Sequence, residues 1–220
     1  TEVGNLEGKS ITGHIWIAND GDLTAGGVVD SGDPGVTAAG GIRVTAASPI
    51  RVEENIVSAG DIVLTATDST SAGDDLTVLA GRRIESTGGS VTLNAGDQVT
   101  LETGAAIVAS GQAVIRGDHG DADPGAGSAI SLAGSITAGS VEITGQGDAD
   151  SLSLTGAITA TGAVTVSMGA GADTIQLSGS AGAGALTIES GSGDDTVEIA
   201  GALAAAGAIN VMMGTGEDEF

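Results

Sequence analysis

Carboxylates recur at almost constant spacing near the C-terminus, in the turns GAGADTI at Gly169–Ile175, GSGDDTV at Gly191–Val197 and GTGEDEF at Gly214–Phe220. Their common acids are Asp173, Asp195 and Asp218, separated by 195−173 = 22 and 218−195 = 23 residues. Carboxylates in glycine-rich turns are hard oxygen donors, and glycine leaves neighbouring carbonyls uncovered. That combination suits Ca2+, which takes roughly six to eight oxygen ligands. The candidate ligands are Asp150, Asp173, Asp194, Asp195 and Asp218, with backbone oxygens of Gly171, Gly193 and Gly216. Asp150 joins through GQGDADS at Gly145–Ser151, because 173−150 = 23, although that turn carries one extra residue. Asp148 in the same turn is a secondary candidate.

A period of this size belongs to stacked coils, because a unit so short cannot bury a core without neighbours. In such a stack equivalent acids sit roughly 4.8 Å apart. Two unit charges at that separation repel by about 1 kcal/mol in bulk water and about 3–4 kcal/mol at an effective dielectric near 20. A cation between coils removes that penalty and turns repulsion into cross-linking. The competing reading is conformational: glycine supplies positive φ, aspartate closes the turn, and the carboxylates splay into water.

A second marker, Gly-x-apolar-x-apolar, shows which elements carry these turns. It reads GHIWI from Gly13, GDIVL from Gly60, GSVTL from Gly89, GSVEI from Gly139, GAVTV from Gly162, GALTI from Gly184 and GAINV from Gly207. Late copies step by 23, 22 and 23 residues (Val141, Val164, Leu186, Ile209), and an earlier one, Ile62 to Val91, by 29. Each late coil divides into three short alternating segments; between residues 175 and 196 these are IQL, the small-residue stretch SAGAGA and LTIES. Ile175, Leu177, Leu186 and Ile188 alternate with Gln176 and Thr187, a period of two rather than 3.6. Three strands per coil predict an all-β, right-handed parallel β-helix of 22–29-residue coils. It forms one continuous domain over residues 1–220, with eight to nine coils and a length of about 40 Å. The absent initial Met, and an end one residue into a strand, are the expectation for a piece of a longer chain.

Composition agrees. Of 220 residues 39 are Gly, and the hydrophobic 40% is almost wholly aliphatic, with one Trp, one Phe and no Tyr. A thin core of small and β-branched residues needs no aromatic volume. Six basic residues against 29 acids give a net charge of −23. That leaves no basic stripe for nucleic acid and nothing to attract an anionic membrane surface. Absence of cysteine excludes disulfides and thiolate metal sites, and no apolar run reaches the ~20 residues of a membrane span.

Two resemblances attach to these residues. The G-x-G-x-D-x-apolar turns at Gly169, Gly191 and Gly214 resemble the repeats-in-toxin nonapeptide, which implies Ca2+ between stacked turns. The match departs in two respects: Met168, Ser190 and Met213 replace the first glycine of the pair, and each coil supplies one turn rather than two. The implied fold is a one-edged version. Segments such as SITGHIWIANDGDLTAGG and GSVTLNAGDQVTLETGA resemble stalk repeats of large bacterial exoproteins of the filamentous-haemagglutinin type. That resemblance implies a secreted or cell-surface adhesin, with this chain as part of its shaft.

Other acidic turns occur at Asn19–Asp22, Asp30–Gly35, Asp68–Asp75 and Gly117–Gly125. In the last, Asp118, Asp121 and Asp123 have the spacing of a short calcium loop around His119, and the expectation is a solvated insertion. Trp16 alternates out of phase with Ile15 and Ile17, so it faces outward, with covering of a neighbouring insertion as its expected role. Enzymatic chemistry is not expected. Lys9, Arg43, Arg51, Arg82, Arg83 and Arg116 all lie outside the C-terminal acidic column, and His14 and His119 have no Ser or Asp partner pattern. The reading is a Ca2+-stiffened extension module whose partners are calcium ions and neighbouring repeats of its parent chain. Two alternatives stay open: an adhesive module recognising a host surface or polysaccharide, and a polysaccharide lyase or hydrolase using Arg82 or Arg83.

Overall fold

The computed structural model describes residues 3–28 and 35–220, so most of the acidic turn at Asp30–Gly35 lies outside the described residues. Alternation of period two sends every second side chain inward, and three such segments per coil close a narrow apolar core. The chain runs through three parallel sheets of nine strands each, always in the order first, second, third. The first coil consists of Asn5–Leu6, Gly8–Ser10 and Ile15–Asn19, and the ninth of Thr196–Ile199, Ala202–Ala205 and Ile209–Met212. No described residue is helical.

Inward positions stack in register. In the first sheet one file runs Leu23, Ile50, Leu76, Val99, Ile130, Leu152, Ile175 and Val197. In the second, Val36, Ile56, Ile84, Ile107, Ile136, Ile158 and Ala181 lie one above another. These residues are at most 3% exposed and form one core cluster. The Gly-x-apolar-x-apolar segments are the third-sheet strands, such as Ile62–Ala66 and Val91–Ala95. The small-residue stretch of coil eight forms the second-sheet strand Ser180–Ala183, with Ala181 inward.

Coil length departs from the predicted 22–29 residues on both sides: Asn5 pairs with Thr24, a step of 24−5 = 19, Ile42 with Ile62, a step of 62−42 = 20, and Val99 with Ile130, a step of 130−99 = 31. Tight corners without insertions make the shorter coils possible. Trp16 faces outward as expected, but among the described residues no insertion covers it. It is 75% exposed, with His14 beside it at a ring-centroid distance of 6.0 Å.

Candidate cation-binding corner

The acids gather where the third sheet turns into the first. In the last three coils this corner is the glycine turn. Gly193 has φ of +137°, and a Cβ there would stand 1.7 Å from the Gly171 carbonyl oxygen of the preceding coil. Only glycine allows that approach. Gly171 and Gly216 share the conformation, with φ of +138° and +146°.

Immediately after each of these turns the aspartate points inward and back along the stack. The amide of Asp150 donates to Asp173 Oδ1 at 2.8 Å, that of Asp173 to Asp195 Oδ1 at 2.9 Å, and that of Asp195 to Asp218 Oδ1 at 3.2 Å. Asp150 ends this run by accepting from the Ser128 amide and hydroxyl and from the Gln146 amide. The carboxylates therefore neither splay into water nor stand free: Asp150, Asp173 and Asp195 are each at most 2% exposed. Asp218 is half-buried on the last coil. Asp194 points the other way, exposed, and accepts from the Glu217 amide at 2.9 Å.

The ladder also has members that the spacing of the C-terminal turns did not single out. Asp74 and Asp97 occupy the equivalent positions two residues before the inward Leu76 and Val99, and the Asp74 amide donates to Asp97 Oδ2 at 2.8 Å. Ser128 holds the position between Asp97 and Asp150. The sequence signal is acid-x-apolar at the start of these strands, with 97−74 = 23 between Asp74 and Asp97, and Ser128 interrupts it before Asp150.

Not every ladder oxygen is satisfied. Oδ2 of Asp173 and Oδ2 of Asp195 are buried with no hydrogen-bond partner. Burial pushes the Asp173 carboxyl up to about 6, helped by the Asp150 and Asp195 charges and opposed by the hydrogen bond from the Asp150 amide. A proton or a cation relieves such a group. The Gly171 and Gly193 carbonyls face the next glycine along the stack rather than the carboxylates.

A second acidic group lies higher on the same corner, where the chain inserts long loops. Residues 67–75 and 117–128 flank the two-residue corner Gly96–Asp97, and the longer loop folds back over it. Its contacts reach the Ala95 carbonyl through the His119 amide at 2.8 Å, Asp68 Oδ2 through the Ala122 amide, and Asp148 Oδ2 through the Gly125 amide at 2.6 Å. This overturns the solvated insertion for Asp118 and Asp123, whereas Asp121 and the rest of residues 120–122 and 124–126 are exposed as expected. Asp118 is 1% exposed and Asp123 half-buried, because the short corner beneath leaves space that the loop fills.

Here the carboxylates converge. Ligand atoms of Asp68, Asp118 and Asp123 lie within 4.8 Å of one another, and so do those of Asp118, Asp121 and Asp148. Burial pushes the Asp118 carboxyl up to about 6. The Gly147 amide opposes the rise, and the charges of Asp150, Asp121 and Asp148 add to it. Burial also raises Asp123, together with the charges of Asp68, Asp97 and Asp74.

Among the described residues, no ion pair joins a basic residue to either acidic group. Arg83 makes a two-point pair with Glu85 on its own strand, at 2.8 and 2.7 Å, and Arg116 pairs with Glu142 at 3.3 Å. No family model, curated protein or solved structure matches the chain.

Proposed function

We propose that this chain is a structural shaft module of a large bacterial adhesin or surface protein, outside the cell, stiffened by Ca2+ along its acidic corner. The observation that carries the reading is the aspartate ladder, in which buried carboxylates stack coil upon coil and Asp173 and Asp195 each keep one buried oxygen without a partner. Three unbroken nine-stranded sheets give the stiffness a spacer needs. A cation along the corner offsets part of a net charge of −23 and couples folding to calcium-rich surroundings. Neighbouring repeats of a longer chain are the other partners in this reading. Catalysis has no part in it, and Arg83 is already engaged by Glu85.

The test is thermal melting followed by circular dichroism in EDTA, Ca2+ and Mg2+, on the wild type and on a variant carrying Asp173→Asn with Asp195→Asn. A Ca2+-specific rise in Tm that shrinks in the double variant supports the reading. Equal Tm in EDTA and Ca2+ removes calcium from it and leaves a plain rod.

The exposed Trp16 beside His14 favours a second reading, recognition of a surface polysaccharide by the third sheet. Binding to a glycan array that Trp16→Ala abolishes is its expected signature, and no binding by the wild type removes it.

A further inference from the structure

Asp118 sits near the start of the folded-over loop with one carboxylate oxygen, Oδ2, buried and without a hydrogen-bond partner. The residue is 1% exposed, so bulk solvent does not reach it. Two other oxygens of the same group, Asp68 Oδ1 and Asp123 Oδ1, are likewise buried and unpartnered. Three carboxylates converging with unpaired buried oxygens form an arrangement that is costly unless something positive lies among them. No side-chain ammonium or guanidinium is paired with any of them among the described residues.

We propose that this loop is a divalent-cation clasp: a Ca2+ site centred on Asp118, with Asp68 and Asp123 on one side and Asp121 and Asp148 on the other. The spacing fits that ion. Ca2+ holds oxygens at about 2.3–2.6 Å, so two ligands on opposite sides of it are about 4.6–5.2 Å apart. The ligand atoms of each triad fall within 4.8 Å. Mg2+ keeps its oxygens at about 2.0–2.1 Å in a strict octahedron and sheds water reluctantly, which an irregular all-carboxylate loop does not favour.

The site is distinct from the ladder in what it joins. Each ladder bond connects adjacent coils, whereas Asp68 belongs to the corner after the third coil, Asp118, Asp121 and Asp123 to the corner after the fifth, and Asp148 to the corner after the sixth. One ion cluster therefore ties the third coil to the fifth, which share no strand pairing, and pins the loop over the short corner between them. The backbone already follows this path, through the amides of Ala122 and Gly125 to Asp68 and Asp148. The cation supplies the charge balance that these hydrogen bonds lack.

Calorimetric titration of the whole 220-residue chain with Ca2+, after removal of metal by chelation, tests the clasp. The variants are Asp118→Asn, Asp121→Asn and Asp68→Asn, with Asp195→Asn as a ladder control. Asp121 is exposed and Asp68 half-buried, so these two changes leave the core intact and keep the test decisive if Asp118→Asn fails to fold. The expected result is a saturable Ca2+ isotherm weakened at least tenfold in the loop variants and retained in Asp195→Asn. Wild-type protein without saturable binding, or Asp121→Asn and Asp68→Asn that bind like wild type, overturns the proposal. Binding lost only in Asp195→Asn assigns the ion to the ladder and also overturns the clasp.

Discussion

The amide nitrogen of Asp173 lies 2.9 Å from Oδ1 of Asp195, one coil further along the stack. This contact fills a particular gap. At the corner the backbone leaves the third sheet before it enters the first, so the ladder of strand hydrogen bonds is interrupted and an amide is left inside. The carboxylate of the next coil supplies the acceptor. A side chain thereby continues the sheet's hydrogen bonding around a bend that the backbone alone cannot cover.

That role predicts a split between two substitutions at one position. Asp195→Ala leaves the buried Asp173 amide without an acceptor, and such an orphan costs about 1–3 kcal/mol. Asp195→Asn keeps an oxygen at the same place and removes a buried charge. In EDTA at neutral pH it is expected to match or exceed wild-type stability, while the alanine variant falls below it. Urea unfolding followed by circular dichroism measures both.

Turn glycine is as tightly constrained as the aspartate after it. Gly193→Ala forces an L side chain into φ of +137° and brings its Cβ to 1.7 Å from the Gly171 carbonyl oxygen of the preceding coil. The expected loss is at least about 2 kcal/mol, from backbone strain alone before the clash is relieved. Gly73, also at positive φ but with open space around its Cβ direction, separates the two effects. Gly73→Ala is expected to lose only the conformational part. Comparing the urea midpoints of the two variants tests the assignment.

The stacked core makes its own prediction. Ile136 lies between Ile107 and Ile158 and is 1% exposed, while its neighbour Thr137 points to solvent. Ile136→Ala is expected to cost about 2–5 kcal/mol and Thr137→Ala under about 0.5 kcal/mol. Equal costs in urea unfolding would show that this face does not alternate as described.

Much of this was legible in the residues. Period-two alternation after each glycine located the third-sheet strands, and the 22- and 23-residue steps gave the stacking that puts Asp150, Asp173, Asp195 and Asp218 in one file. The direction of the carboxylates was not legible. Whether an aspartate after a glycine turn faces water or core depends on how the turn aims its Cα–Cβ bond, and positive φ at both turn glycines rotates it inward. Asp74 and Asp97 keep the same step, 97−74 = 23, but 150−97 = 53 residues and the serine at 128 separate them from Asp150, so the spacing of the C-terminal file does not reach them. The loop at Gly117–Gly125 looked solvated for a related reason. The burial of Asp118 and Asp123 depends on the tight corner at Gly96–Asp97, which sequence presents as an unrelated segment some twenty residues away.

Acidity gives the last prediction, because burial lifts the carboxyls of both Asp173 and Asp118 to about 6. In the unfolded chain each returns to the ordinary carboxylate value near 4. Between those limits the folded state binds more protons than the unfolded one, so the slope of stability against pH is negative. Stabilisation from these two groups is fully present below about pH 4 and is lost as pH rises through about 6. The carboxylates facing them act in the same direction: Asp150 and Asp195 on Asp173, and Asp150, Asp121 and Asp148 on Asp118. In EDTA, the urea midpoint is therefore expected to rise as pH is lowered from 7 to 5. Ca2+ competes with the proton for the same oxygens, so its stabilising effect should run the other way, largest at pH 7 and smallest at pH 5. Midpoints measured at pH 5, 6 and 7 with and without Ca2+ check both slopes. A midpoint in EDTA that falls steadily from pH 7 to pH 5 contradicts the buried, proton-hungry carboxylates on which the argument rests.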